Sequence, residues 1–144
     1  MVRMSPAADF DAKLRRVQLF ESLSDDDLAD VAKMGKEMRF AAGDDVTTEG
    51  KTGVGFHLIL DGRARVIVAG AEKATLGPGQ YFGEMSLLDS EPRSATVTAL
   101  TDLRTFSMAS WDFMGLIGTE FNIARKIFAA LSKRIRALEG PESV

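Results

Sequence analysis

The sequence predicts an α+β fold that is mainly β: a double-stranded β-helix or jelly-roll-like β barrel, flanked by N-terminal helices and a C-terminal lid helix. Apolar residues recur at helical spacing before position 35 and again after position 110. Between them, glycine recurs at intervals of strand length from Gly43 to Gly83, which is typical of short strands joined by turns. The length of 144 residues fits one domain, placed at residues 10–138, with terminal tails at 1–9 and 139–144.

Composition excludes several classes of function. Hydrophobic residues form 45% of the chain and charged residues 27%, which are ordinary proportions for a globular domain. The net charge of -3 gives no support to nucleic acid or an anionic membrane as a partner. Cysteine is absent, so disulfides and thiolate chemistry are excluded. No stretch reaches the ~20 apolar residues of a membrane helix, and we expect a cytoplasmic protein.

The first third of the chain predicts helices. Ser24 is a candidate N-cap, and Asp25, Asp26 and Asp27 follow in a first turn, where acids suit the helix dipole. Leu28 and Val31 then share an apolar face, and Gly35 closes the element.

Two segments of the glycine-rich region predict β-hairpins. In "GFHLILDGRARVIVAG", Asp61-Gly62 is a tight-turn dipeptide, and alternate residues of the second arm are apolar. In "SATVTALTDLRTFSMA", Val97 and Ala99 share one face, while Phe106 and Met108 share a face on the returning strand.

The C-terminal third predicts a short helix and then a long one. Ser110 caps the first, which closes near Gly118, and Thr119 caps the second, which Gly140 ends. The long helix has a heptad-like apolar stripe: Ala124, Phe128, Leu131, Ile135 and Leu138. This stripe is either core or a dimer seam. The basic residues of the same helix predict a solvated face: Arg125, Lys126, Lys133, Arg134 and Arg136.

The segment "YFGEMSLLDSEPRSATV" has the chemistry of a sugar-phosphate site. After Gly83-Glu84, one predicted turn of helix leaves backbone N–H groups open to an anion. Arg93, stiffened by Pro92, supplies a guanidinium able to grip an oxyanion at two points. A carboxylate beside a phosphate is repulsive unless it accepts hydrogen bonds from another part of the ligand, such as a ribose hydroxyl.

These residues resemble the phosphate-binding cassette of the cyclic-nucleotide-binding domain family, which includes kinase A regulatory subunits, cyclic-nucleotide-gated channels and bacterial catabolite activators. The resemblance implies that Glu84 takes the ribose 2′-hydroxyl and that Arg93 pairs with the cyclic phosphate. It implies that the remaining pocket residues are Gly83, Met85, Ser86, Ser94 and Ala95. The spacing from Glu84 to Arg93 is similar to that of the kinase regulatory subunits. The family implies binding and no catalysis.

The resemblance also implies a ligand and an output. It favours cAMP. Because Ser94 is compatible with either nucleotide, cGMP is the other candidate. Arg134 aligns with an arginine near the ribose-binding acid in some bacterial activators, whereas Leu138 and Glu139 stand where those activators offer hydroxyls to adenine. We expect a sensor that signals through its C-terminal helix to a protein partner, within a homodimer or to a further domain, without a cofactor. The alternative is a degenerate domain that acts as a ligand-independent interaction module.

The single histidine, His57, is expected to be a packing or surface residue. One histidine cannot build the histidine-rich centre of a metal-dependent cupin, which is the enzyme class that such a β roll would otherwise allow. The sequence therefore predicts no metal site.

Overall fold

Two antiparallel sheets of four strands occupy the middle of the chain. The structure, a computed structural model, describes residues 12–51, 55–89 and 91–140. One sheet has the strand order β1-β8-β3-β6 and the other β2-β7-β4-β5. The strands are β1 (Lys36–Phe40), β2 (Asp45–Thr47), β3 (Gly55–Asp61), β4 (Ala64–Val68), β5 (Ala71–Leu76), β6 (Tyr81–Phe82), β7 (Thr96–Ala99) and β8 (Leu103–Ala109).

The two predicted hairpins are wrong as strand pairs. Asp61-Gly62 does form a turn, with Gly62 at a φ of 91°, but β3 and β4 lie in different sheets. Strand β3 pairs with β8, so that His57 lies opposite Ser107, while β4 pairs with β5 and β7. Strands β7 and β8 are likewise in different sheets. A turn dipeptide reverses the chain locally, whereas the faces that become buried decide which strands pair.

The core of this part of the chain lies between the sheets. Both sheets contribute fully buried residues to one cluster: Ile59, Ala64, Val97, Ala99 and Leu103. The alternation predicted for β7 is confirmed, because Val97 and Ala99 are buried while Thr96 and Thr98 are half-buried. Strand β8 is buried on both faces.

Helices form a second compact unit. Contacts divide the chain into the sheet unit, Met34–Met114, and a helical unit made of the described residues up to Lys33 and from Gly115 onward. The helices are α1 (Asp25–Lys33), α2 (Ser110–Thr119) and α3 (Phe121–Glu139), with a 3-10 helix at Gln18–Phe20 that packs against α3. A mainly β fold with helices before and after the sheets is confirmed. Closure of the sheets into a barrel and a single domain over 10–138 stay predictions. Residues 1–11 and 141–144, with most of the predicted tails, lie outside the described residues.

The predicted cap of α1 is confirmed and extends into a capping box. The Asp27 N–H donates to Ser24 Oγ at 3.1 Å, and the Ser24 N–H donates to Asp27 Oδ2 at 3.0 Å. The same carboxylate accepts a hydrogen bond from Lys126 Nζ of α3 at 2.6 Å. Burial raises the pKa of Asp27, but the bonds from Lys126 and Ser24 outweigh it and hold the pKa below its usual value. The prediction that Lys126 lies on a solvated face is wrong.

The predicted cap of α3 is wrong. Thr119 ends α2, and its hydroxyl donates to the Leu116 carbonyl at 3.1 Å instead of capping α3. Ser110 is the first residue of α2, within one residue of the predicted cap position. Gly140 does end α3, with a φ of 78° and its N–H donating to the Arg136 carbonyl at 3.0 Å.

The apolar stripe of α3 is largely exposed. The buried face of this helix consists of Ile123, Ala124, Ile127 and Ala130. Phe128, Ile135 and Leu138 are 60%, 55% and 83% exposed, so they are not core residues of this chain. Phe121 continues the stripe by one heptad toward the N-terminus and is also exposed. No described helix is both long enough and apolar enough to cross a membrane.

Candidate functional site

A cavity of about 450 Å³ opens in the sheet unit and brings together most of the predicted site residues. The first part of its wall follows β6, and the second part precedes β7. Seven of the predicted residues line it: Gly83, Glu84, Met85, Ser86, Arg93, Ser94 and Ala95. Two segments of one sequence motif therefore face a common space.

The turn after β6 requires glycine at position 83. Gly83 has a φ of 80°, in the left-handed region that side chains disfavour. A Cβ added there would also collide with the guanidinium of Arg93 and with the carbonyl oxygen of Gly55. The absence of a side chain thus allows Arg93 to lie directly against the turn.

A 3-10 helix, Met85–Leu87, follows this turn, as the sequence predicts. The N–H groups of Ser86 and Leu87 donate to the carbonyls of Gly83 and Glu84, at 3.1 and 3.2 Å. These two amides therefore donate hydrogen bonds within the turn. The expectation that backbone N–H groups of this turn are open to an anion is wrong for them. Leu87 is fully buried and anchors the turn.

The backbone and the side chain of Arg93 are both held in place. Its N–H donates to the Lys51 carbonyl at 2.9 Å, and its own carbonyl accepts from the Gly50 N–H at 2.8 Å. In the guanidinium, Nη1 donates to Ser86 Oγ at 3.0 Å and Nη2 donates to the Gly55 carbonyl. The side chain is thus positioned before any ligand binds, by contacts that carry no negative charge.

Arg93 is a buried cation that forms no ion pair with a described carboxylate. Its exposed fraction is 8%. Among residues 12–51, 55–89 and 91–140, Nε finds no acceptor and no carboxylate lies within ion-pair distance of the guanidinium. Burial lowers the pKa of Arg93 and the charge of Asp89 opposes this, but a guanidinium stays protonated in proteins. Since a buried unpaired charge is costly, the cavity favours an anion at Arg93.

Glu84 provides the same cavity with a hydrogen-bond acceptor. It is half-buried at the start of the 3-10 helix and lines the cavity with Arg93. An ionised carboxylate only accepts hydrogen bonds. A ligand that fits both residues must therefore carry an anionic group and, at another position, a hydrogen-bond donor such as a hydroxyl.

Apolar side chains from both sheets complete the wall, and the predicted set of pocket residues did not include them. They are Val66 of β4, Phe82 of β6 and Val97 of β7. Thr47 lines the cavity as well, and its hydroxyl donates to the Ala95 carbonyl at 3.3 Å. The alternation of β4 was the only sequence signal for Val66, whereas Val97 also belonged to the quoted motif. Nothing local pointed to Thr47.

His57 lies within the sheet unit beside this site. It is 4% exposed, and its Nδ1 is 2.7 Å from Ser107 Oγ. Its ring stacks on that of Phe82, with 5.0 Å between ring centroids. Burial, together with the charge of Arg93, lowers the pKa of His57 to about 4. The packing role expected for His57 is confirmed, and in the described ranges no three His, Asp or Glu side chains cluster as metal ligands do.

The predicted contribution of α3 to the site stays a prediction. Arg134 belongs to the helical unit, whereas every described lining residue of the cavity belongs to the sheet unit. Arg134 is half-buried, and Leu138 and Glu139 are exposed.

The sequence of this chain is similar to those of known proteins. The model of the cyclic nucleotide-binding domain family matches residues 37–120, more than half of the chain. A cAMP-dependent protein kinase regulatory subunit of Emericella nidulans is 34% identical over 119 residues, covering 81% of this chain and 29% of that protein. The cyclic AMP receptor protein of Thermus thermophilus is 30% identical over 123 residues, covering 82% of this chain and 57% of that protein.

A solved structure agrees over nearly the full length. The N-terminal domain of a transcriptional regulator from Streptomyces coelicolor A3(2) superposes with a TM-score of 0.82 at 29% identity, covering 92% of this chain and 98% of that one. The chain spans less than a third of the length of the kinase regulatory subunits that it matches. On the family match, the chain belongs to the cyclic nucleotide-binding domain family.

Proposed function

We propose that this chain is a cyclic-nucleotide sensor module, with cAMP as the favoured ligand and cGMP as the other candidate. The observation that carries the proposal is the buried guanidinium of Arg93, which forms no ion pair with a described residue and lies in the same cavity as Glu84. A cyclic phosphodiester brings one negative charge to Arg93, and the ribose 2′-hydroxyl donates a hydrogen bond to Glu84. Binding requires no catalytic group.

The names of the relatives support the choice of ligand. They include cAMP-dependent protein kinase regulatory subunits, a cyclic AMP receptor protein and cyclic nucleotide-gated potassium channels. Kinase regulation, transcription and ion conduction belong to those longer proteins. Only nucleotide binding is proposed for this chain from the comparison.

Calorimetry with cAMP, cGMP and AMP tests the proposal. Removing one member of a buried charge pair costs ~2–5 kcal/mol, so Arg93→Ala should weaken cAMP binding by roughly 30-fold or more. Arg39→Ala is the matched control, because Arg39 is exposed and lies outside the cavity. AMP should bind more weakly than either cyclic nucleotide. Equal cAMP affinity of Arg93→Ala and the unmodified chain would remove the proposal.

The output that we propose is a movement of α3, with Arg134 contributing near the ribose-binding acid. A population shift of this kind requires that cAMP favour one of two conformations. The chain contains no cysteine, so Lys73→Cys on β5 and Ser132→Cys on α3 provide two unique, exposed sites for spin labels. Distances between the labels should change with cAMP and not with AMP. An unchanged distance distribution at saturating cAMP would argue against the moving helix.

The exposed stripe of α3 is the proposed contact for a second copy of the chain or a protein partner. Phe121, Phe128 and Ile135 stand seven residues apart on its exposed face, which is the spacing of a coiled-coil seam. Exposed apolar stripes are uncommon in monomeric proteins. Sedimentation should show a concentration-dependent dimer that Phe128→Glu abolishes and Lys133→Glu, at an exposed position of the same helix, leaves intact. If the unmodified chain is a monomer at all concentrations, the homodimer is ruled out and only the contact with a protein partner is still proposed.

The second candidate function is a ligand-independent interaction module. The exposed stripe favours it, because that surface needs no nucleotide. A thermal-shift comparison separates the two functions, since a ligand at 100 times its dissociation constant stabilises a protein by ~2.7 kcal/mol. No shift with cAMP or cGMP, together with an intact interaction through α3, would select the second candidate.

A further inference from the structure

A second cavity, of about 360 Å³, lies in the sheet unit next to the proposed nucleotide site. Its volume is in the range of ~300–1,000 Å³ that is usual for small-molecule sites. Its apolar lining includes Met34, Met38, Phe40, Val46, Met108 and the largely exposed Trp111. Neither the motif around Arg93 nor the proposed function uses these residues.

Two buried polar side chains stand in this apolar wall. His57 and Ser107 line the cavity and are 4% and 6% exposed. Ser107 Oγ lies 2.7 Å from His57 Nδ1 and 2.7 Å from Thr105 Oγ1, so the three groups form one hydrogen-bonded chain. Within the described residues, the other ring nitrogen, Nε2, has no hydrogen bond. An apolar pocket with one polar group of this kind orients a ligand that has one polar atom.

The charges around the cavity favour an uncharged ligand. The opposite charges of the exposed Lys36 and Asp112, which also line it, give no net attraction for either sign. The apolar wall would penalise an ion. A hydroxyl fits either tautomer of His57, because it can donate to Nε2 or accept from it.

The two cavities share a wall. Gly55 lines the second cavity, and its carbonyl accepts the hydrogen bond from Arg93 Nη2. His57 stacks on Phe82, which lines the first cavity. A molecule in the second cavity therefore packs against Gly55, whose carbonyl holds Arg93. It also packs against His57, whose ring stacks on Phe82 directly before the Gly83 turn.

We propose that the second cavity binds a small, uncharged aromatic molecule with one hydroxyl group, and that its occupancy changes the affinity for nucleotide at Arg93. Binding in the second cavity stands independently of the proposed function, whereas the coupling rests on it. By linkage, the coupling factor is the same whether it is measured from the phenol or from the nucleotide.

Three probes test the chemistry: para-ethylphenol, ethylbenzene and para-ethylbenzoate. Trp111 is the only tryptophan and lines the cavity, so its fluorescence reports binding. We expect saturable binding of para-ethylphenol, roughly fivefold weaker binding of ethylbenzene because the hydrogen bond is lost, and none of para-ethylbenzoate. Equal affinity for the phenol and the carboxylate, or no saturable signal with any probe, would overturn the site.

Matched variants locate the binding. Ala109 lines the cavity on β8, so Ala109→Leu should fill it and abolish the phenol signal. Ala71→Leu places the same side chain on the exposed strand β5 and should leave it unchanged. Because Ala109→Leu can disturb folding, para-ethylphenol is also soaked into crystals of the unmodified chain. Density between His57 and Trp111 supports the site, and density elsewhere or none overturns it.

Calorimetry with cAMP at saturating para-ethylphenol measures the coupling. We expect the dissociation constant of cAMP to differ by about fivefold or more from its value without para-ethylphenol. An unchanged cAMP affinity with para-ethylphenol bound overturns the coupling. If cAMP fails to bind while para-ethylphenol binds normally, the proposed function fails and the second site stands.

Discussion

Protonation of His57 should set the pH dependence of stability, because its pKa is about 4 in the folded chain and 6.5 in the unfolded chain. Between these values the unfolded state binds the extra proton, so the free energy of unfolding is highest above pH 6.5 and falls as the pH decreases toward 4. The lowered pKa corresponds to about 3 kcal/mol of stability that is present above pH 6.5 and lost below pH 4. Between pH 7.5 and pH 5 we expect a loss of about 2 kcal/mol.

Urea unfolding at pH 7.5 and pH 5 measures this loss in the unmodified chain and in His57→Gln. Glutamine keeps a polar group beside Ser107 but does not titrate, so the variant should lose much less stability over this interval. His57 is the only histidine, and a carboxylate with a lowered pKa, such as Asp27, titrates mainly below pH 5. Equal losses in the two proteins would refute the buried, neutral histidine.

Three substitutions give further predictions. Gly83→Ala should weaken cAMP binding by at least about tenfold in calorimetry, because its Cβ displaces Arg93; Gly79→Ala, which also has a positive φ but open space around it, should leave the affinity unchanged. Glu84→Gln should weaken cAMP about tenfold or more through the loss of a charged acceptor worth ~1.5–3 kcal/mol, and full affinity in the variant would disprove the ribose contact. Lys126→Met should lower the free energy of unfolding by about 3 kcal/mol in urea titrations, since it leaves the Asp27 carboxylate buried without its partner, and a loss below the error of the method would show that the pair contributes little.

Local sequence patterns predicted the elements of the fold better than their pairing. The capping signal at Ser24 and the alternation of Val97 and Ala99 are local, and both appear in the structure. The choice of partners for β3 and β8 depends on contacts between residues about fifty positions apart, such as His57 and Ser107, which a turn dipeptide cannot specify.

The residues of the candidate site were likewise predicted only in part. Glu84 and Arg93 lie within one short motif, so their spacing already predicted that they face one ligand. The Gly55 carbonyl that holds Arg93 comes from a distant strand and is a backbone atom, for which side-chain chemistry gives no signal. The pairing of Asp27 with Lys126 was missed because the two residues are 99 positions apart in the sequence.

A crystal structure of the chain with cAMP tests the central claim most directly. The account predicts that a cyclic-phosphate oxygen lies within hydrogen-bond distance of the Arg93 guanidinium and that the ribose 2′-hydroxyl contacts the Glu84 carboxylate. A nucleotide bound outside this cavity, or with its phosphate turned toward solvent and away from Arg93, would contradict it.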